Sequence, residues 1–326
     1  MTRAWSTLLA MLLGLASAAP ALPPRPAAAA PVEMIAAGRI DEAVNLLRAR
    51  VTASPTDAEG FNLLARAYYA EERWDEAVHA AERSIALQPD NSNYHMWLAR
   101  ADGLKAEHSN FFTAARMVGR IKREFERAVE LDGSNVEARS NLAEFYIEAP
   151  GFLGGSTDNA RIQAQAIASL NPPVSMWVLA RLAEKEGDPG EAERYYRAAI
   201  EASHGSAATW IDLASFFRRV KRYDDMEKAI QQALAADHNN GDDLFDAAGL
   251  LLRAGRNLPL AAQSLRQYLE SGKPVESAPL NQAHQLLGAV LEKQGDRQGA
   301  LAEYRAALAL AADYKAAKEG VRRLQP

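Results

Sequence analysis

The chain has 326 residues, 48% of them hydrophobic and 24% charged, with a formal net charge of -5 and no cysteine. This composition suits a chain with a substantial core and gives no basic field of the kind that drives nucleic-acid binding. It also removes disulfides, thiolate metal sites and cysteine nucleophiles together. Length alone suggests about two domains.

The N-terminus reads MTRAWSTLLAMLLGLASAAPAL. A positive start at Arg3 precedes an apolar run from Ala4 to about Ala16, and Ala16-Ser17-Ala18 fits the small-x-small cleavage rule. Residues 1–18 are therefore expected to be a signal peptide, the alternative being an uncleaved anchor. The run falls short of the roughly 20 apolar residues that span a bilayer. The Ala/Pro-rich stretch 19–31 is expected to be a disordered tether.

From residue 32 a short pattern returns. "RIDEAVNLLRARVTASP" ends at Pro55 and "RWDEAVHAAERSIALQP" at Pro89, so Ala43 and Ala77, like the two prolines, are 34 residues apart. Between them Phe61, Leu64, Ala65 and Tyr68 lie at i, i+3, i+4 and i+7, one face of a helix. The same first-helix pattern returns as Leu98-Ala99, as Leu142, Ala143 and Tyr146, as Trp210, Leu213, Ala214 and Phe217, and as Leu287, Gly288 and Leu291. The small residue opening the second helix returns as Ala160, Ala192, Ala261 and Ala300, with Met226 replacing it once. His204 and His238 stand where proline ends other units.

A helix-turn-helix unit of this period resembles the tetratricopeptide-repeat family, and the resemblance covers nearly all of the chain beyond residue 32. It implies an all-α fold, a right-handed superhelical solenoid of antiparallel helix pairs. About eight units fill 32–314, the first with a truncated leading helix. Residues 315–326 supply a capping helix with a polar outer face. One continuous array replaces the two domains suggested by length.

Two units are longer than the period. Pro89 to Gly133 spans 44 residues and Gly133 to Pro172 spans 39, placing insertions near 103–112 and 150–155. In the first, Phe111, Ala114, Ala115, Val118, Ile121, Phe125, Ala128 and Val129 form one apolar stripe, read as a second helix lengthened at its start by about 15 Å for ten residues. The second, "APGFLGGS", is not a phosphate loop, because GxxxxGK[ST] after a strand is absent. It reads as an enlarged turn, with Ser156 or Asp158 capping the next helix. Phe111 and Phe112 at the helix tip are expected to be covered by Phe152 and Leu153 of this turn, the alternative being an exposed patch for a partner. Arg116, Arg120, Arg123 and Arg127 share one face of the long helix. They are expected to pair within it, to Glu124, Glu126 and Glu130. If unpaired, they would form a ridge for anionic ligands.

Nothing assembles a catalytic, metal or cofactor site. The six histidines lack HxxxH or HExxH spacing, and no GxSxG or SxxK is present. Asp75-Glu76, Asp224-Asp225 and Asp242-Asp243 read as acids at helix N-termini. The resemblance implies instead that the first helices line a concave groove for a peptide of a partner protein. Its register points Arg66, Arg100 and Arg181 into the groove, with Glu144 at the equivalent place between the last two. Tyr69 and Trp177 are the aromatics one turn from Arg66 and Arg181, types enriched at hot spots. Asn62, with Arg66 and Arg100, matches part of the family's clamp for a peptide C-terminus. The alternative is that these arginines pair with Glu144 and other acids nearby.

The reading is an exported, periplasmic or secreted, non-enzymatic scaffold that binds a protein or peptide partner and no nucleic acid. The alternatives are an envelope- or glycan-assembly factor that uses the arginine ridge 116–127, and an enzyme with a dispersed site. N-terminal sequencing of protein recovered from the periplasm is expected to begin at Ala19. A start at Met1 or Thr2 in the cytosol would overturn the export reading.

Overall fold

The computed structural model describes residues 30–236 and 242–325. The expected signal peptide, its cleavage point and most of the tether lie outside these residues, as does His238. Helix begins at Pro31, the last tether residue. Among the described residues the regular structure is helical, and one isolated bridge joins Val275 to Ala278.

The helices come in antiparallel pairs. α1 (Pro31–Ala36) pairs with α2 (Ile40–Ala53), α3 (Ala58–Ala70) with α4 (Trp74–Leu87), and α5 (Ser92–Glu107) with α6 (Phe111–Leu131). Next come α7 (Val136–Glu148) with α8 (Thr157–Ile167), α9 (Pro172–Glu186) with α10 (Pro189–Ala202), and α11 (Ala207–Arg219) with α12 (Tyr223–Ala235). α13 (Asp242–Ala254) with α14 (Leu258–Glu270), α15 (Leu280–Gln294) with α16 (Arg297–Leu310), and α17 (Lys315–Leu324) complete the chain.

The repeat chemistry explains each pair. Ala65, Ala77, Ala99, Ala143, Ala192, Ala214, Ala261 and Ala300 are buried where helices cross, since only a small side chain lets two backbones approach there. Within several pairs the turn needs one left-handed residue, supplied by Glu72, Gly187, Lys221, Gly255 and Gly295. Between pairs, Asp57, Asn135 and Asn171 cap the following helix through side-chain acceptors. A polar motif recurs as well. Tyr196 Oη donates to Glu184 at 2.7 Å, and Arg219 of the next unit reaches the same carboxylate at 2.7 Å. Tyr304, Glu292 and Arg323 repeat the arrangement. The acid pairs stand at helix starts, Asp75 and Glu76 opening α4, Asp224 and Asp225 opening α12, and Asp242 and Asp243 opening α13.

The long unit departs from the expectation in detail. α6 has 21 residues and α5 has 16, so the insertion is shared between the two helices and is not confined to the second. The glycine turn holds a short 3-10 helix, Gly151–Leu153, and Ser156 caps α8. Gly155 is fixed by sterics, since a Cβ there would fall 1.8 Å from the carbonyl oxygen of Ala149.

The larger departure is that the array closes on itself. Asn281 Nδ2 and Gln282 Nε2 donate to the carbonyl of Ala70 at 3.1 and 3.2 Å. The amide of Ala312 donates to Asp41 at 3.1 Å, and that of Asp313 to Glu71 at 2.8 Å. Ala307, Ala311, Tyr314 and Ala317 share one apolar cluster with Ile35, Ile40, Leu47 and Tyr68. The last helix is thus part of a seam with the first repeats and not a free polar cap. Gly38, at φ +68°, touches the backbone at Leu280 and Asn281 across this seam, and a Cβ there would meet the Asn281 nitrogen at 2.3 Å. A Gly38→Val variant is expected to lose at least about 1–2 kcal/mol from the left-handed backbone alone, with further loss from the clash. Chemical denaturation reads the loss, and small-angle scattering should show a wider particle. An unchanged midpoint would mean that the seam contributes nothing.

Candidate functional site

The first helices of the pairs touch one another along an inner layer, α3 against α5, α5 against α7, α7 against α9 and α11 against α13. Against this layer lies a chamber of about 1300 Å³. Asn62, Arg66 and Tyr69 of α3, Trp97 and Arg100 of α5, and Asn141 and Glu144 of α7 line it. Glu276, Ser277 and Gln282, from the other end of the array, line it as well.

Glu276 and Ser277 come from the segment 271–279, longer than the four-residue connections 54–57, 88–91 and 132–135. Tyr268 shapes it: the hydroxyl donates to the Ala278 carbonyl at 2.6 Å and accepts from the Val275 amide at 3.0 Å. The segment thereby presents Glu276 to Arg66, whose Nε donates to it at 2.6 Å.

Of the six expected groove residues, Asn62, Arg66, Tyr69 and Arg100 share the chamber, while Trp177 and Arg181 lie beyond its lining. The arginines are paired, as in the alternative reading, yet not with Glu144. Arg66 holds Glu276, Arg100 holds Glu137 at 2.6 Å, and Arg181 holds Glu148 and Glu184. Arg66 and Arg100 also stack on Trp97, 5.3 and 5.0 Å from its ring centroid. Trp97 meets Tyr69 edge-on at 5.5 Å. Sequence reasoning missed Trp97, although it lies one residue before Leu98-Ala99, and it missed Asn141, one residue before Leu142-Ala143.

Two chamber amides have unmet groups. Asn62 is 4% exposed, and among the described residues neither its Oδ1 nor the buried Nδ2 of Asn141 has a partner. A buried amide without a partner costs about 1–3 kcal/mol. One is an acceptor and the other a donor.

Family profiles described as tetratricopeptide repeat match residues 34–101 and 178–241. Both stretches are tetratricopeptide repeats. No curated protein matches the sequence. Among solved structures it is similar to MamA, at 17% identity and a TM-score of 0.43, over 54% of this chain and 96% of that one. It is also similar to TTC0263, a thermophilic tetratricopeptide-repeat protein of Thermus thermophilus, at 20% identity and 0.48, over 57% and 97%. A third likeness is to pilF of Pseudomonas aeruginosa, at 13% identity and 0.40, over 66% and 92%.

On the outside of this repeat protein the expectations for α6 are corrected. Phe111, Phe112 and Phe152 are 69%, 76% and 81% exposed, so the glycine turn does not cover the helix tip. The arginine face is not paired within its helix as expected. Arg120 reaches across to Glu82 and to the fully buried Asp102. Arg127 holds Asp90 and, as expected, Glu130. Glu124 is taken by His95 Nδ1 at 2.6 Å, and Glu126 by the Tyr146 hydroxyl at 2.7 Å. Arg116 and Arg123 are exposed and, among the described residues, unpaired.

The inner wall turns acidic further along the array. Burial first, then repulsion from Asp246, lifts the Asp212 carboxyl to about 7, against the pull of Arg219 and Arg181. Asp246 is also lifted to about 7 by its surroundings and by Asp242, although it keeps contact with solvent. The Glu144 carboxyl is also raised by the protein crowded around it, although the residue is solvent-exposed, and Arg181 partly offsets the rise. His95 is driven down by burial but raised on balance by its bond to Glu124.

A carboxyl whose folded pKa lies above its unfolded value binds more protons when folded, so stability falls as pH rises between the two values. A raised histidine acts in the same direction, losing its stabilisation as pH rises through its folded pKa. Thermal midpoints are therefore expected to fall from about pH 5 to pH 8. Asp212→Asn with Asp246→Asn should flatten much of that slope. An equal slope in the double variant would remove these two groups as its source.

Proposed function

We propose that the protein is a non-enzymatic scaffold of the bacterial cell envelope that binds an extended peptide of a partner protein in the chamber. The tetratricopeptide-repeat fold suggests protein interaction in general. The observation that carries the narrower reading is the pair of unmet amide groups, Asn62 Oδ1 and Asn141 Nδ2, both on residues of the chamber wall. Both atoms are buried in the chamber wall, so a side chain of the wall must rotate before a peptide N–H reaches the first and a carbonyl the second. The Trp97 ring, held by two arginines and Tyr69, is a preorganised apolar surface beside them.

The arginines have a different role from the one first expected. Arg66 and Arg100 are already satisfied by Glu276 and Glu137, so they orient the tryptophan and set the charge of the wall. A partner carboxylate would have to displace an internal one. Export rests on the N-terminal pattern of the sequence. Among the described residues no helix is long and apolar enough to cross a membrane.

Random peptides displayed on phage and enriched on the wild-type chain test the reading. Asn62→Ala with Asn141→Ala is expected to weaken the enriched peptides by about tenfold or more, since each hydrogen bond contributes about 1 kcal/mol. Melting should be little changed, because neither unmet group bonds within the fold. Undiminished binding by the folded double variant would move the binding surface elsewhere.

A further inference from the structure

The segment FFTAARMVGRIKR, residues 111–123, contains Arg116, Arg120, Lys122 and Arg123 and no acid, in a chain of net charge -5. The neighbouring turn APGFLGGS, 149–156, is uncharged. Antiparallel pairing places both turns, 108–110 and 149–156, on the same edge of the array. Contact between the 3-10 helix and α6 confirms this, because Gly154 packs beside the Lys122 side chain. The start of α6 therefore projects past its neighbour, Phe112 lying about 15 Å further along the helix than Lys122 by the standard rise.

The faces of α6 are sharply divided. Ile121, Phe125 and Ala128 are buried. At 100° per residue, Phe112, Arg116, Gly119 and Arg123 fall together on the opposite side. Arg120 and Arg127 turn away from that side, Arg120 to Glu82 of α4 and Asp102 of α5, and Arg127 to Asp90 in the connection before α5. What remains exposed on that side of α6 is Phe112 near its start, with Arg116 and Arg123, which have no ion pair among the described residues; Phe152 is exposed on the neighbouring glycine turn.

We propose that this face of α6 is a membrane-docking surface, lying along an anionic bilayer with Phe111, Phe112 and Phe152 in the interface and Arg116 and Arg123 on lipid phosphates. A helix with aromatics and arginines on one exposed face lies in the plane of such a surface, drawn by apolar burial and by charge. Charge complementarity decides the occupant. A protein groove for two phenylalanines needs no matching field, whereas the anionic leaflet attracts each cation. The uncharged glycine turn lets the bilayer approach without bringing a carboxylate to it.

The test uses the full chain with Gly151→Cys, the only cysteine then present. Nothing lies within 4 Å of a Cβ at that position, so a polarity-sensitive fluorophore there reports on this edge and not on the N-terminal apolar segment. Vesicles of phosphatidylcholine with phosphatidylglycerol are expected to brighten the probe, and pure phosphatidylcholine to do so far less. Arg116→Gln with Arg123→Gln should weaken partition about 25-fold, at about fivefold per cation. Phe111→Ser with Phe112→Ser should weaken it at least about tenfold. High salt should act like the arginine changes. Arg120 is left intact, because it neutralises the buried Asp102. An unresponsive probe, or equal response in both folded variants, would overturn the proposal. So would capture of a soluble protein by this face without any response to vesicles.

Discussion

A pair of helices in this array buries its apolar face only by stacking on another pair, so each end of the chain presents a face with no successor. Here the two ends answer each other. Ile35, Ile40 and Leu47 from the first pair share a cluster with Ala307, Ala311 and Tyr314 from the last units. The six-residue α1 is long enough for this role because α16 and α17 do the rest of the covering. Close approach sets the local chemistry: a glycine at 38, a fully buried Asn281, and a Glu71 that is 1% exposed yet bonded to the Asp313 amide. Burial raises the Glu71 carboxyl, and the Asp313 amide and Arg73 act against that rise.

Closure also converts the inner face from an open groove into a chamber. In an open array Arg66 would face solvent and be free for a ligand. With the ends joined, the 271–279 segment delivers Glu276 to it, and Arg66 becomes part of the wall. The unmet demand passes to the amides of Asn62 and Asn141, whose Oδ1 and Nδ2 have no such partner among the described residues.

The pattern that was legible in the sequence is local. Ala65, Ala77, Ala143 and Ala300 identify themselves because a crossing point favours small residues and most units repeat the requirement, with Met226 an exception. The inward register of Arg66 and Arg100 follows from the same spacing. Their partners do not, since Glu276 is 210 positions from Arg66 and meets it only through rotation summed over many units. The error at Arg120 has the same origin. Glu124 stood at helical spacing, but Asp102 was buried on the adjacent helix and a buried carboxylate has the stronger claim on a cation. Phe152 was misjudged for another reason. Aromatic residues near one another in an array usually share a core, yet the glycine turn packs at the level of Lys122, too far along α6 to shield Phe111 or Phe112.

The two candidate surfaces meet in α6. Ile121 and Phe125 belong to the chamber wall, while Phe112, Arg116 and Arg123 stand on the opposite side of the same helix. A helix is stiff over this length, and its hydrogen-bonded backbone lets one face be altered without rearranging the other. Serine at Phe111 and Phe112 therefore leaves the chamber intact, and alanine at Asn62 and Asn141 leaves the outer face intact. A rigid element of this kind also fixes the distance between a bound peptide and the docked edge. Whatever the chamber holds is then kept at a set height from the surface, which attachment through a single chain end would not provide.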